Sequence, residues 1–192
     1  MSSTNLKLLA DATNSQLVLI DVQTRLSAVM SDSNSLLRNC NILIESAKLL
    51  EIPVTVTEQY PKGIGPTNNE LVGTLGSDYR PIEKNCFSSC GSENFIQNIR
   101  QHNKRNQVIL CGIEAHVCVL QTAMDLLNDN NTDWQVFIVA DAVDSRNSKN
   151  KNLSLTRLQN AGAIITCTES VLFEWMKDSG NKHFKTISAL IR

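Results

Sequence analysis

The 192 residues carry 18 basic and 19 acidic side chains, for a net charge of −1, with 42% hydrophobic and 19% charged residues. That balance fits one soluble globular domain spanning residues 1–192, with a core over about 16–191. It supplies no broad basic face for nucleic acid, and no apolar run reaches the roughly 20 residues that a membrane helix needs. The first sixteen residues lack a basic region followed by a long apolar core, so no secretory signal is read and a cytoplasmic location is expected. On that expectation the cysteines, Cys40, Cys86, Cys90, Cys111, Cys118 and Cys167, are free thiols. Cys86 and Cys90 have no histidine pair beside them, so a zinc site is not expected.

In chain order, residues 16–20 (QLVLI) read as a strand that ends at Asp21. Residues 36–50 place Leu36, Leu37, Ile42, Leu43, Ala47 and Leu50 at helical spacing. Residues 53–57 (PVTVT), rich in β-branched side chains, predict a second strand. Residues 60–66 (YPKGIGP) have the proline and glycine content of a loop. Residues 67–75 predict a short helix capped by Thr67, with Glu70 three positions on. Residues 80–83 form a weak strand-like stretch, and 93–102 a helix. Residues 107–111 (QVILC) predict a third clear strand that Gly112 breaks. A helix follows over 116–127. Residues 135–140 (QVFIVA) predict a strand ending at the acid Asp141. A helix over 153–161 closes at Gly162, a short strand covers 163–166, and helices over 171–177 and 183–191 finish the chain. Arg146, Lys149 and Lys151 read as a solvated helix start.

Strand and helix alternate through most of the length. The pattern predicts an α/β domain with three layers, α/β/α, around a mostly parallel, doubly wound central sheet. The strands at 17–20, 108–111 and 136–140 are almost wholly apolar, as strands covered on both faces are.

In open parallel sheets, ligands sit at the carboxyl ends of the strands. Asp21, Lys84 and Cys118 all fall there. Cys118 lies in a turn (GIEAHVCV, 112–119) that feeds a helix. The positive end of that helix is expected to favour the thiolate, and the unpaired amides of the turn to stabilise a developing oxyanion. Asp21 is the candidate base for the thiol proton, and Lys84 the charge that orients it.

Three segments, LVLIDVQ (17–23), EKNCF (83–87) and VILCGIEAHVCVLQTAMDLL (108–127), resemble the isochorismatase-like cysteine hydrolases. TEQYPKGIGPT (57–67) narrows the resemblance to the eukaryotic isochorismatase domain-containing proteins and bacterial relatives of unassigned substrate. The resemblance extends through VADAVDSR (139–146) to HFKTISALI (183–191). It implies Asp21, Lys84 and Cys118 as the catalytic trio and a cis peptide between Ile113 and Glu114. It also implies an oxyanion hole made by the backbone amides of Glu114 and Cys118. Gln23, Tyr60, Phe87, Glu114 and His116 are the candidates for the substrate pocket.

The metal-dependent nicotinamidases of the superfamily carry an Asp-x-His motif where this chain has Thr57, Glu58, Gln59 and Tyr60. The only histidines here are His102, His116 and His183, so neither a catalytic metal nor another cofactor is expected. Ala115, His116 and Val117 stand where the family commonly has a Thr-Asp pair. Two readings result. One is a hydrolase of a small-molecule amide or related acyl bond, working through a cysteine thioester. The other is an oligomeric binding protein of the same fold with weak turnover. A homo-oligomer is expected in either case, as the resemblance implies and because residues 169–175 (ESVLFEW) hold more apolar side chains than one helix face can bury; the alternative is that the final helix, 183–191, covers the rest within the same chain.

Overall fold

Among the described residues, segments rich in aliphatic side chains supply most strands of one sheet. β1 (Ser15–Ile20), β2 (Val54–Gln59), β3 (Ile82–Lys84), β4 (Gln107–Ile113), β5 (Gln135–Asp144) and β6 (Ile164–Thr166) lie in the order β3-β2-β1-β4-β5-β6. Every pairing is parallel. The computed structural model describes residues 8–102 and 104–192. The start of the segment read as lacking a secretory signal, residues 1–7, lies outside the described residues.

The helices in chain order are α1 (Thr24–Ser27), α2 (Ser33–Leu49), α3 (Pro61–Ile64), α4 (Asn69–Leu75), α5 (Glu93–Gln101), α6 (Leu120–Leu127), α7 (Ser148–Asn160), α8 (Thr168–Met176) and α9 (Phe184–Leu190). Successive strand side chains point to opposite faces, so each strand feeds two cores. Leu17, Leu19, Ile109, Cys111, Phe137 and Val139 pack with the buried sides of α2, α4, α8 and α9. Val18, Ile20, Val108, Leu110, Val136 and Ile138 pack with those of α5, α6 and α7. This is the three-layer, doubly wound arrangement expected. The strand order changes direction at the β1–β4 pair, and the carboxyl ends of those strands frame the crevice where ligands bind in such sheets.

Several local expectations are corrected. Gly112 does not break β4. It lies inside the strand at φ +117°, beside a register shift between Leu110 and Gly112. β5 runs on past Ala140 to Asp144, because Val143 and Asp144 pair with Gly112 and Ile113 beyond that shift. Asp141 is therefore within the strand, and its carboxylate accepts from the Thr168 amide at the start of α8. Thr67 is not the cap of α4. Asn68 is, its side chain accepting from the Glu70 amide, while Thr67 donates its N–H and hydroxyl to buried Glu58. Part of the 60–66 loop coils into the single turn α3 after Tyr60, which adopts a left-handed backbone at φ 38°. α7 starts at Ser148 on the cap of Asn147, five residues before Leu153.

The apolar stretch 169–175 is better covered than its composition suggests. Val171, Leu172 and Trp175 are buried in the core that α2 and α9 share, and the Trp175 indole donates to the Ser15 hydroxyl at 2.9 Å. Phe173 alone of these apolar side chains stays substantially exposed, edge-on to Phe184. Among the described residues no helix is long and apolar enough to cross a membrane.

Candidate active site

Asp21 is the first residue after β1. Its backbone is left-handed (φ 52°), a conformation that Asp tolerates better than most side chains, and its carboxylate is fully buried. Lys84 ends β3, two strands away. Its ammonium donates to Asp21 Oδ2 at 2.6 Å, and neither side chain of this ion pair reaches solvent.

The ammonium also donates to Gln59 Oε1 at 2.8 Å and to the carbonyls of Cys86 and Phe87 at 3.2 and 3.1 Å. The Thr57 hydroxyl donates to Asp21 Oδ1 at 2.7 Å. Both carboxylate oxygens thus hold a donor, which fixes the plane of the group.

Cys118 comes from the other side of the crevice. After β4 the Ile113–Glu114 peptide is cis, and residues Ala115–Val119 form a π-helical turn that runs into α6. Cys118 is 7% exposed, and its thiol lies close enough to Asp21 to feel that charge. Burial, and then the charge of Asp21, push the thiol up to about 12, against the opposing pull of Lys84 and of the Glu114 amide directed at the sulfur. The expectation that the helix terminus leaves a ready thiolate is therefore corrected: desolvation beside a carboxylate outweighs the turn. Cys118 rests as a protonated thiol near the Asp21 carboxylate.

The residues proposed for a substrate pocket do not gather in one place. Tyr60, half exposed, borders a cavity of about 530 Å³ that opens over Lys84 and is also lined by Glu83, Asn85, Cys86 and Ser92. Phe87 is exposed, and its tie to the site is the carbonyl that accepts from Lys84. Gln23 is buried and spent on structure. Its amide nitrogen donates to the Gln59 and Gly65 carbonyls and its oxygen accepts from the Gln59 amide. His116 borders a separate cavity of about 180 Å³ beside Leu153 and Arg157, with Nδ1 2.9 Å from the Ser145 hydroxyl. The Glu114 carboxylate pairs with Arg146. Among the described residues no three His, Cys, Asp or Glu side chains are placed to hold a metal ion.

Two residues that serve the site were not singled out from the sequence. Thr57 and Gln59 are two apart on β2, so they share a face of the strand, one reaching Asp21 and the other Lys84. The alternation in the TEQ stretch was the available signal.

The family model that describes the isochorismatase domain matches residues 15–170. A secreted isochorismatase effector of Phytophthora sojae is 38% identical over 181 residues, which cover 93% of this chain and 85% of the relative. The isochorismatase domain-containing protein 2 of Danio rerio is 37% identical over 92% of this chain and 86% of its own length. A solved structure described as a ribonuclease from Caenorhabditis elegans superposes with a TM-score of 0.87 at 35% identity, over 95% of this chain and 92% of that one. The domain match covers β1 through the start of α8 and so includes Asp21, Lys84 and Cys118: the chain belongs to the isochorismatase family and is a hydrolase of unspecified substrate.

Proposed function

We propose that the chain hydrolyses a small-molecule amide or related acyl bond through a covalent thioester on Cys118. The observation that carries this reading is the buried Lys84–Asp21 pair at 2.6 Å, with the protonated Cys118 thiol facing the same carboxylate. Such a thiol acts with substrate in place. Asp21 takes its proton as Sγ attacks the carbonyl carbon, and the oxyanion rests on the backbone amides of Glu114 and Cys118. The S–C bond forms, the C–N bond breaks, and Asp21 returns that proton to the leaving nitrogen. A water then gives a proton to Asp21 and its oxygen to the thioester carbon. The S–C bond breaks and the proton goes back to Sγ. Lys84 keeps Asp21 oriented throughout.

We also propose a homo-oligomer in a cytoplasmic setting. The support for the oligomer is now the exposed Leu8, Leu9 and Phe173, around a largely apolar cavity of about 590 Å³, rather than the whole of residues 169–175. Light scattering that finds only monomers at micromolar concentration would overturn it.

The test of the chemistry is a panel of small amides and esters, with RNA included because one relative is described as a ribonuclease, assayed with the wild type and Cys118→Ala. Hydrolysis that disappears in Cys118→Ala, with an acyl mass trapped on Cys118 in the wild type, is the expected result. Turnover that survives in Cys118→Ala overturns the thioester. A chain that turns over nothing and traps nothing is instead the weakly active binding protein.

A further inference from the structure

We infer that Thr57 is a positioning residue that sets how readily Asp21 exchanges protons with Cys118; the inference rests on the thioester reading above. A carboxylate that must take a proton from sulfur and then release it to a leaving group needs one oxygen directed at the thiol. It also needs a proton affinity between the two partners. At Asp21, Lys84 occupies Oδ2 at 2.6 Å and the Thr57 hydroxyl occupies Oδ1 at 2.7 Å.

Lys84 alone leaves the carboxylate free to turn about its last bond. The second donor, on the opposite oxygen and from a different strand, removes that freedom. Thr57 is fully buried, and β2 pairs with β1 through Ile20 and Thr57 themselves, so the hydroxyl is carried on the residue level with the end of β1. The Asp21 amide, in turn, donates to the Thr57 carbonyl. Thr57 therefore grips Asp21 at both its backbone and its side chain.

The electrostatic surroundings make the hydroxyl matter. Among the described residues, Lys84 from β3 and Cys118 from the turn after β4 are the charged and titratable groups shown to interact with Asp21. Glu58, next along β2, spends its carboxylate on Thr67 and Tyr79, and Glu114 spends its own on Arg146. A donor lost from a buried carboxylate disfavours the charged form. Without the hydroxyl, Asp21 holds a proton more tightly. The rate limb that reports protonation of Asp21 then moves to higher pH.

The probe is p-nitrophenyl acetate, followed by release of p-nitrophenolate across the pH range in which each protein stays folded. Wild type, Thr57→Val, Thr57→Ala, Thr57→Ser and Cys118→Ala are compared. In Thr57→Val the acid limb of kcat/KM moves up by about one pH unit and kcat falls about tenfold with KM little changed. Thr57→Ser, which keeps the hydroxyl, restores both. Thr57→Ala provides the same reading if the valine variant does not fold. A valine or alanine variant whose profile coincides with the wild type overturns the inference. So does an equal loss in valine and serine variants with no shift of the limb, since packing alone would then account for it. Full activity in Cys118→Ala overturns the thioester reading and this inference together. An unshifted profile with Cys118→Ala inactive overturns this inference alone.

Discussion

Lys84 and Asp21 meet at 2.6 Å with both side chains sealed from solvent, joining the ends of β3 and β1 across β2. A buried ion pair gains little over an apolar pair, but removing one partner strands the other, at a cost of about 3–5 kcal/mol. Lys84→Met is therefore expected to lose about that much stability in urea denaturation, and Lys84→Met combined with Asp21→Asn to lose less than Lys84→Met alone. Asn is chosen because it tolerates the left-handed backbone of residue 21. A single variant within about 1 kcal/mol of wild type would show that the pair is solvated or replaced, contrary to the burial of both groups.

The Cys118 thiol gives a pH signature. Burial and the neighbouring Asp21 charge hold it up at about 12, from an ordinary value near 9. Raising a thiol lowers its thiolate fraction at neutral pH, here by on the order of a thousandfold against an ordinary cysteine. Alkylation of Cys118 by iodoacetamide, followed by peptide mass mapping, should be slow at pH 7 and rise about tenfold per pH unit through pH 10. A plateau below pH 9 would mean that the free protein already holds a thiolate.

At the switch point of the sheet, Gly112 at φ +117° lies so close to β1 that an added Cβ would stand 2.1 Å from the Ile20 carbonyl oxygen. Both the dihedral and the clash with backbone exclude a side chain there. Gly112→Ala is expected to cost more than about 3 kcal/mol, or to prevent folding, and to displace Asp21, which follows Ile20 directly. Thermal unfolding measures it. A shift of less than about 2 °C would show that β4 relaxes away from β1 freely.

The parts of the fold that sequence revealed are those where one physical signal acts alone. β1, β4 and β5 are covered on both faces, so their apolar runs stand out, and the layer order follows from their alternation with helices. Where two signals compete, the local reading fails. Gly112 looks like a stop, yet it is the residue that lets β4 continue past β1. Thr67 looks like a cap, but Glu58 takes its hydroxyl, and Asn68 caps α4. The ends of β1 and β3 and the turn after β4 marked Asp21, Lys84 and Cys118 as candidates. The groups that orient them are set by pairing across the sheet, with Thr57 36 residues from Asp21 and Gln59 25 from Lys84, and no local pattern encodes such a distance. The raised Cys118 thiol was likewise invisible, because burial beside Asp21 is a tertiary property.

The turn that carries the candidate oxyanion amides is tied down by the segment after β5. The Arg146 backbone N–H donates to Glu114 Oε2 at 2.9 Å, and its guanidinium Nε does so at 3.2 Å. These two bonds differ in worth. The Arg146 side chain is 65% exposed, so its ion pair is screened and contributes at most about 1 kcal/mol. The backbone bond survives any side-chain change at residue 146, whereas truncating Glu114 removes both bonds and frees the turn. Arg146→Ala should therefore change hydrolysis of a Cys118-dependent probe ester by no more than about threefold, and Glu114→Ala should lower kcat by about tenfold or more. Glu114→Gln, which keeps an acceptor for the Arg146 amide, should fall between them. Steady-state kinetics of the three variants at one pH decide it: equal losses in Arg146→Ala and Glu114→Ala would assign the restraint to the guanidinium, and no loss in Glu114→Ala would show that the turn holds its shape without residue 146.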